Sequence, residues 1–228
     1  MQRVDFSAQS AGLAKHYRDF YAIVIDDAFS AEECRALVDQ ATAASGPWSP
    51  AGLSAHATVQ TVHSEFRNSE RIIHIDEDSA NKIYDRLYPL LGDIHEITPS
   101  SQWSRITGRE GQKQRPTWKL VGVNPRLSFL RYGPGHYFKP HCDGLTNSPD
   151  GQQKSFVTIH LYLNGDGLVG GATRFWTPDK KEYLDVEPKL GRVLVFQQRM
   201  LIHSGEEVTA GVKYTVRSDL MFVQTTPH

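Results

Sequence analysis

In the stretch LRYGPGHYFKPHCDG, Leu130 to Gly144, an imidazole and a carboxylate stand two residues apart at His141 and Asp143. Along an extended strand, residues i and i+2 project from the same face. The two side chains can therefore reach one metal ion together. A His-x-Asp triplet also arises by chance in turns and at surfaces, so the pair becomes a site only if a third ligand comes from elsewhere. The candidate is His203 in MLIHSGEEVTAG, just after the apolar run Arg192 to Phe196, which reads as a buried strand. Two imidazoles and one carboxylate on one side of an ion leave coordination positions open for a co-substrate and oxygen, a donor set that suits Fe(II). The same set can hold Zn²⁺ for hydrolysis.

Charged groups that could orient a co-substrate lie on the last strand candidate, Lys213 to Val223. With period 2, Lys213, Thr215, Arg217, Asp219 and Met221 share one face, while Tyr214, Val216, Leu220 and Phe222 share the other. The second is a core face; the first is polar and faces either solvent or a functional lumen. A short turn after His203 would bring Lys213 back toward the metal. Tyr132 shares a strand face with Leu130, Ser128 and Arg126 and precedes His141 closely enough to line the same cavity. Arg67, Asn68 and Arg71 form a polar cluster that could meet substrate, as could Trp103 and Trp118. His136, His74 and His63 read as surface or packing residues, and Cys142 should point away from the ligands flanking it.

The elements that must position these groups follow from patterning. Ser7 to Phe20 fits a short helix and Tyr21 to Ile25 a strand. Ser30 and Glu33 form a capping box ahead of an apolar stripe at Cys34, Leu37, Val38 and Ala41, with Gly46-Pro47 as the stop. A strand is expected around Arg71 to Ile75, then a helix capped by Ser79 and running to about Leu91. The segment 97–119 is polar and carries five Lys or Arg against one Glu, which marks it as an insertion and a candidate lid. From Val121 the pattern is almost entirely β: Arg126 to Tyr132, Ser155 to Leu163, Ala172 to Trp176, Glu182 to Val186, Arg192 to Phe196 and Lys213 to Val223, separated by Gly-rich turn signals. The expected fold is therefore mainly β with supporting helices, a jelly-roll or cupin-like core packed against N-terminal helices. One domain should span 1–228, with a helical support region at 1–95 and a β core at 121–223.

Composition narrows the field. The 228 residues are 39% hydrophobic and 22% charged with a formal net charge of -1, so neither nucleic acid nor an anionic membrane is expected as a partner. Two cysteines exclude a disulfide framework and fit a reducing compartment. No apolar run approaches the ~20 residues of a membrane span, and the first twenty residues lack a signal-peptide core, so a cytoplasmic location is expected. Oligomeric state stays open.

Taken in order, LSFLRYGPGHYFKPHCDG, FVTIHLYLN, GGATRFW, EPKLGRVLVFQ, MLIHSGEEV and GVKYTVRSDLMF resemble the prolyl 4-hydroxylase-like branch of the 2-oxoglutarate- and Fe(II)-dependent dioxygenases, over about Gly122 to Val223. The resemblance implies a double-stranded β-helix and an iron held by His141, Asp143 and His203. It places Lys213 and Tyr132 at the distal carboxylate of 2-oxoglutarate, and Tyr162, with Thr158 and His160 on its strand face, along the co-substrate pocket. Arg217 should look into that pocket and bind either co-substrate or a substrate carboxylate.

The implied activity is hydroxylation of a C–H bond in a prolyl peptide, amino acid or small molecule, using O2 and 2-oxoglutarate, releasing succinate and CO2, with ascorbate as an accessory reductant. Weaker substrate contacts are expected from His160, Arg67, Arg71, Trp103 and Trp118. Two rivals remain at this stage: a non-oxidative cupin-like metalloenzyme, hydrolase or isomerase, which has no use for Lys213 and Tyr132, and a catalytically inactive binding protein on the same fold.

Overall fold

The computed structural model describes residues 1–7, 10–56, 59–61, 63–108 and 116–225. The strand Arg126–Tyr132 forms with the expected bounds, and its alternation decides which side chains enter the core. It pairs antiparallel with the last strand, Lys213–Thr225, placing Tyr132 opposite Lys213 and Ser128 opposite Arg217. Beyond the last strand lie Gln153–Tyr162, then Val193–Gln197 and Ala22–Ile25; on the other side of Arg126–Tyr132 lies Glu70–Ile75. These strands belong to a ten-stranded sheet. A five-stranded sheet holds Tyr183–Val186, Thr173–Trp176, His203–Gly205, Tyr137–His141 and Arg67–Asn68, in that order. These two sheets form a double-stranded β-helix, the fold that the family resemblance implies.

Two helices cover the outer face of the large sheet, while Ala11–Tyr17 packs at the smaller sheet, its Tyr17 hydroxyl donating to the Trp176 carbonyl. Helix Ala31–Ser45 starts with the expected reciprocal cap between Ser30 and Glu33 and stops at Gly46, whose φ of 79° suits a residue without Cβ. Helix Glu77–Leu87 begins earlier than the pattern suggests. Asp76, not Ser79, is the cap, its carboxylate accepting from the Ser79 N–H; Pro89 then turns the chain into a 3-10 turn over Tyr88–Leu90. Cys34, Ala41, Ile83 and Leu87 join Ile72, Leu127, Phe129, Val157, Ile159, Leu161, Val216, Leu220 and Phe222 in one buried cluster. The apolar face of the sheet is thus spent on the helices, and the polar face is left for a lumen.

Two sequence expectations need correction. The support region 1–95 is not helical alone: the expected strands Ala22–Ile25 and Glu70–Ile75 join the large sheet, and Arg67–Asn68, not foreseen as a strand, joins the smaller one. The insertion is also shorter than its composition implied. Thr117–Val123 is a strand paired with the far half of the last strand, and Ile97, Trp103 and Ile106 are buried. The centre of the candidate lid, 109–115, lies outside the described residues. Among the described residues, no helix is long and apolar enough to cross a membrane.

Candidate metal centre

Four neighbouring strands of the large sheet build the floor of a cavity of about 460 Å³. Register aligns their polar-face residues in rows across the strands: Tyr162, Thr215, Leu130 and Arg71 in one, His160, Arg217, Ser128 and Ile73 in the next. Lys213 and Tyr132 form a further row at one end. The smaller sheet supplies the wall, with His141 and His203 directly opposite each other across an antiparallel pair and therefore on one face.

The three ligand candidates meet there. Ligand atoms of His141, Asp143 and His203 all lie within 4.8 Å of one another. The Asp143 oxygens are each 3.8 Å from one imidazole Nε2, Oδ1 from His141 and Oδ2 from His203. His141 Nδ1 is 2.8 Å from the Lys139 carbonyl, and His203 Nδ1 is 3.1 Å from the Leu201 carbonyl. A carbonyl only accepts, so each Nδ1 carries the proton and each Nε2 lone pair is aimed at the common centre. Burial, and then the neighbouring His203, push the His141 imidazole down to about 3, which keeps it in the neutral form a metal requires. Burial alone would raise the Asp143 carboxyl. Arg217, His203, His141 and the Thr158 hydrogen bond outweigh it and hold the group ionised.

Behind Asp143 stands a continuous polar chain. Its Oδ2 accepts from Thr158 Oγ1 at 2.6 Å and pairs with Arg217 Nη2 at 3.3 Å. The same Nη2 meets Asp219 Oδ1 at 3.0 Å, and Asp219 accepts in turn from Gln198 and Thr146. A buried carboxylate with this many donors has one preferred orientation. On the other side, Phe138 stacks on His141 with ring centroids 3.7 Å apart, fixing the imidazole plane.

The opposite end of the floor is built around a buried cation. Lys213 is only 2% exposed, and its Nζ lies 5.2 Å from the Tyr132 ring centre and 5.5 Å from that of Tyr162. Nζ donates to the Gly171 carbonyl at 2.6 Å. Gly171 has φ +75°, and a Cβ there would sit 3.2 Å from Lys213 Cδ, so glycine is what lets the lysine lie against this turn. Burial pushes the ammonium down to about 7, with Glu187 and Glu206 opposing the shift only from a distance. Between the two ends, His160 Nε2 is buried without a hydrogen-bond partner among the described residues, and burial followed by Lys213 holds its imidazole well below the ordinary value.

Of the residues singled out in the sequence, His141, Asp143, His203, Lys213, Tyr132, Arg217, His160, Arg67 and Arg71 line this cavity. Four others do not. Thr158 is turned to Asp143 as its hydrogen-bond donor, and Tyr162, fully buried between the two sheets beside Lys213, donates to Thr173 Oγ1 of the smaller sheet at 2.6 Å. Trp103 packs edge-on against Tyr21 and Trp118 against Phe156, both in the helix-side core, where a large apolar ring gains most from burial. Sequence reasoning passed over Asp219, Gln198, Thr146, Phe138 and Arg126. Asp219 and Arg126 were visible as same-face neighbours of Arg217 and Tyr132; Phe138 and Thr146 stand three residues from His141 and Asp143, while Gln198 reaches Asp219 only through a tertiary contact.

Comparison with known proteins agrees with this geometry. Residues 127–218 match the 2OG-Fe(II) oxygenase superfamily. A prolyl-4-hydroxylase from Pseudomonas putida superposes with a TM-score of 0.56 at 20% identity, over 95% of this chain and 99% of that one. The viral collagen prolyl hydroxylase of Paramecium Bursaria Chlorella virus-1, in its 2OG complex, gives 0.50 at 20% identity, over 89% and 96%. A Trichoplax adhaerens prolyl hydroxylase in complex with a hypoxia inducible factor oxygen degradation domain peptide fragment gives 0.53 at 19% identity, over 87% and 83%. No curated protein matches the sequence.

Proposed function

We propose that this chain, a 2-oxoglutarate- and Fe(II)-dependent dioxygenase with the fold of the prolyl hydroxylases, hydroxylates a C–H bond of a peptide or small-molecule substrate. The balanced reaction is substrate C–H plus O2 plus 2-oxoglutarate giving substrate C–OH, succinate and CO2. The observation that carries this reading is that a three-ligand metal centre, with its histidines on the smaller sheet, and a buried lysine of the larger sheet open into one cavity. A dicarboxylate co-substrate needs both ends. A hydrolytic metal centre needs only the first.

In this reading His141, Asp143 and His203 hold the iron, which when bound supplies the activation of O2. The Nδ1–H bonds to the Lys139 and Leu201 carbonyls keep both imidazoles oriented through the cycle. Thr158 and Arg217 fix Asp143, so Arg217 serves the metal ligand and leaves the distal co-substrate carboxylate to Lys213 with Tyr132. Charge pairing there offsets the desolvation that a buried carboxylate would otherwise suffer. His160, unpartnered on the floor between the ends, faces the body of the co-substrate. One domain, 1–228, carries all of this, since strands from both ends of the chain share the large sheet.

The test is succinate release on addition of Fe(II) and 2-oxoglutarate, with mass spectrometry for a gain of one oxygen in substrate. Turnover that needs both additions and disappears in Asp143→Ala supports the reading. Metal-dependent hydrolysis without consumption of 2-oxoglutarate would replace it with the hydrolase.

A further inference from the structure

The cavity is lined by more positive charge than a metal centre and one co-substrate require. Arg67, Arg71, Arg126, Lys213 and Arg217 contribute side chains to it, against a single acid, Asp143. Arg217 is taken up between Asp143 and Asp219. Lys213 sits at the co-substrate end. Three further arginines line the cavity, from three different strands: Arg67 of Arg67–Asn68, whose Nε donates to Ser69 Oγ at 3.0 Å, Arg71 of Glu70–Ile75 and Arg126 of Arg126–Tyr132.

Resting on the oxygenase reading above, we infer that the substrate is a small molecule bearing an anionic head group, a carboxylate or a phosphate, held by Arg67, Arg71 and Arg126 beside the metal centre. Arg67 is only 8% exposed, lies 4.5 Å from the Phe138 ring centre, and through that ring adjoins His141, so an anion bound to it lies next to the metal ligands. Among the described residues no carboxylate comes within ion-pair distance of Arg67 or Arg126. Arg71 faces the lumen in the row of Leu130 and Thr215, one strand out from the floor's centre. Burial first, and then Arg67 and Arg126, depress its guanidinium to about 10, a sign that these like charges are close enough to repel. Planar guanidinium groups converging from separate strands match the oxygens of a carboxylate or phosphate in paired hydrogen bonds. A neutral peptide offers these guanidinium groups no charge-assisted hydrogen bond, and an anionic head group does. The cavity of about 460 Å³ is of the size that encloses a small ligand.

The experiment uses the full chain loaded with Fe(II) and 2-oxoglutarate. Substrate-stimulated succinate release is measured for L-amino acids against their amides, short carboxylic acids against their methyl esters, O-phosphoserine against serine, and a blocked prolyl peptide without acidic residues. Binding of each probe is measured in parallel, anaerobically, on protein loaded with Mn(II) and 2-oxoglutarate. At least one acid should exceed its neutral partner by about tenfold or more in both readouts, and Arg71→Gln and Arg126→Gln should each cut that ratio several-fold. The carboxylate and phosphate arms tell which head group is meant. Equal response to charged and neutral partners, a preference for the blocked peptide, a charge ratio that survives both substitutions, or no response to any probe overturns the inference. Titration of 2-oxoglutarate into the Mn(II)-loaded wild-type protein separates the two levels. If it binds normally, such a result sinks only the substrate assignment; if it fails to bind, the oxygenase reading falls and takes this one with it.

Discussion

The two ends of the cavity floor solve the burial of charge in opposite ways. At the metal end, Asp143 is already satisfied by Thr158 and Arg217, and Arg217 by Asp219, which Gln198 and Thr146 hold in place. At the other end Lys213 has one carbonyl, Gly171, and two aromatic rings, with no carboxylate in ion-pair distance among the described residues. One end is preorganised, so the metal meets ligands that need not move. The other is short of an anion, so a dicarboxylate that lands there gains a charge-assisted contact the free protein lacks. Rigidity holds the reactive centre, and unmet charge selects what binds beside it.

The sharpest way to break this contrast is at the metal end. Asp143→Ala removes a ligand and leaves Arg217 without its partner, and turnover of 2-oxoglutarate should fall by more than the roughly 100-fold that outer partners of a metal site command. Metal content and succinate release check it; an active Asp143→Ala protein would remove the metal assignment. Lys213→Met should weaken 2-oxoglutarate by about 100-fold or more, since one member of a buried charge pair is lost, while metal affinity stays within about twofold. Calorimetric titration of each component reads the two separately, and equal losses of both would show that the ends are not independent. Thr158→Val takes one hydrogen bond from Asp143 and should weaken metal about tenfold, with co-substrate affinity following only through the metal.

Two smaller effects sharpen it further. The Lys213 ammonium is pushed down to about 7 by burial, so above pH 7 a proton must be taken up when the distal carboxylate binds. The dissociation constant of 2-oxoglutarate should then rise by up to about tenfold per pH unit above pH 7 and flatten below it. Lys213→Met should abolish that slope. Tyr162→Phe removes a buried hydrogen bond between the two sheets, to Thr173, and should cost about 1 kcal/mol, a few degrees in Tm, with 2-oxoglutarate affinity held within about twofold. A large loss of co-substrate affinity in that variant would return Tyr162 to the cavity lining.

Much of this site was legible because strand periodicity is strict. Lys213, Thr215, Arg217 and Asp219 share a face by counting alone, and so do Ser128, Leu130 and Tyr132; the structure pairs those faces row by row. Counting says which face, not how deep. Tyr162 and Thr158 share the polar face, yet one hydroxyl turns to Thr173 and the other to Asp143, because rotamers and neighbours decide where a short side chain's donor goes. The tryptophans spoke for packing, and packing rather than substrate contact is their place. A polar stretch around Trp103 suggested a solvent-facing insertion, while the ring itself is drawn into the core by its own area, against Tyr21.

The sequence by itself determined the chemistry of the parts: a His-x-Asp on an extended strand, a distant histidine after a buried run, a lysine and an arginine on one face, and a β core long enough to enclose them. Those features are set by residue type and by a period of two, which are local. Only the tertiary structure decided what each charge is for. His141 and His203 became neighbours through the pairing of two strands some sixty residues apart, Arg217 was claimed by Asp143 and Asp219, and Arg67, Arg71 and Arg126 were gathered around one cavity. Charges act through space over distances that strand register and sheet packing set, and no count along the chain contains those distances.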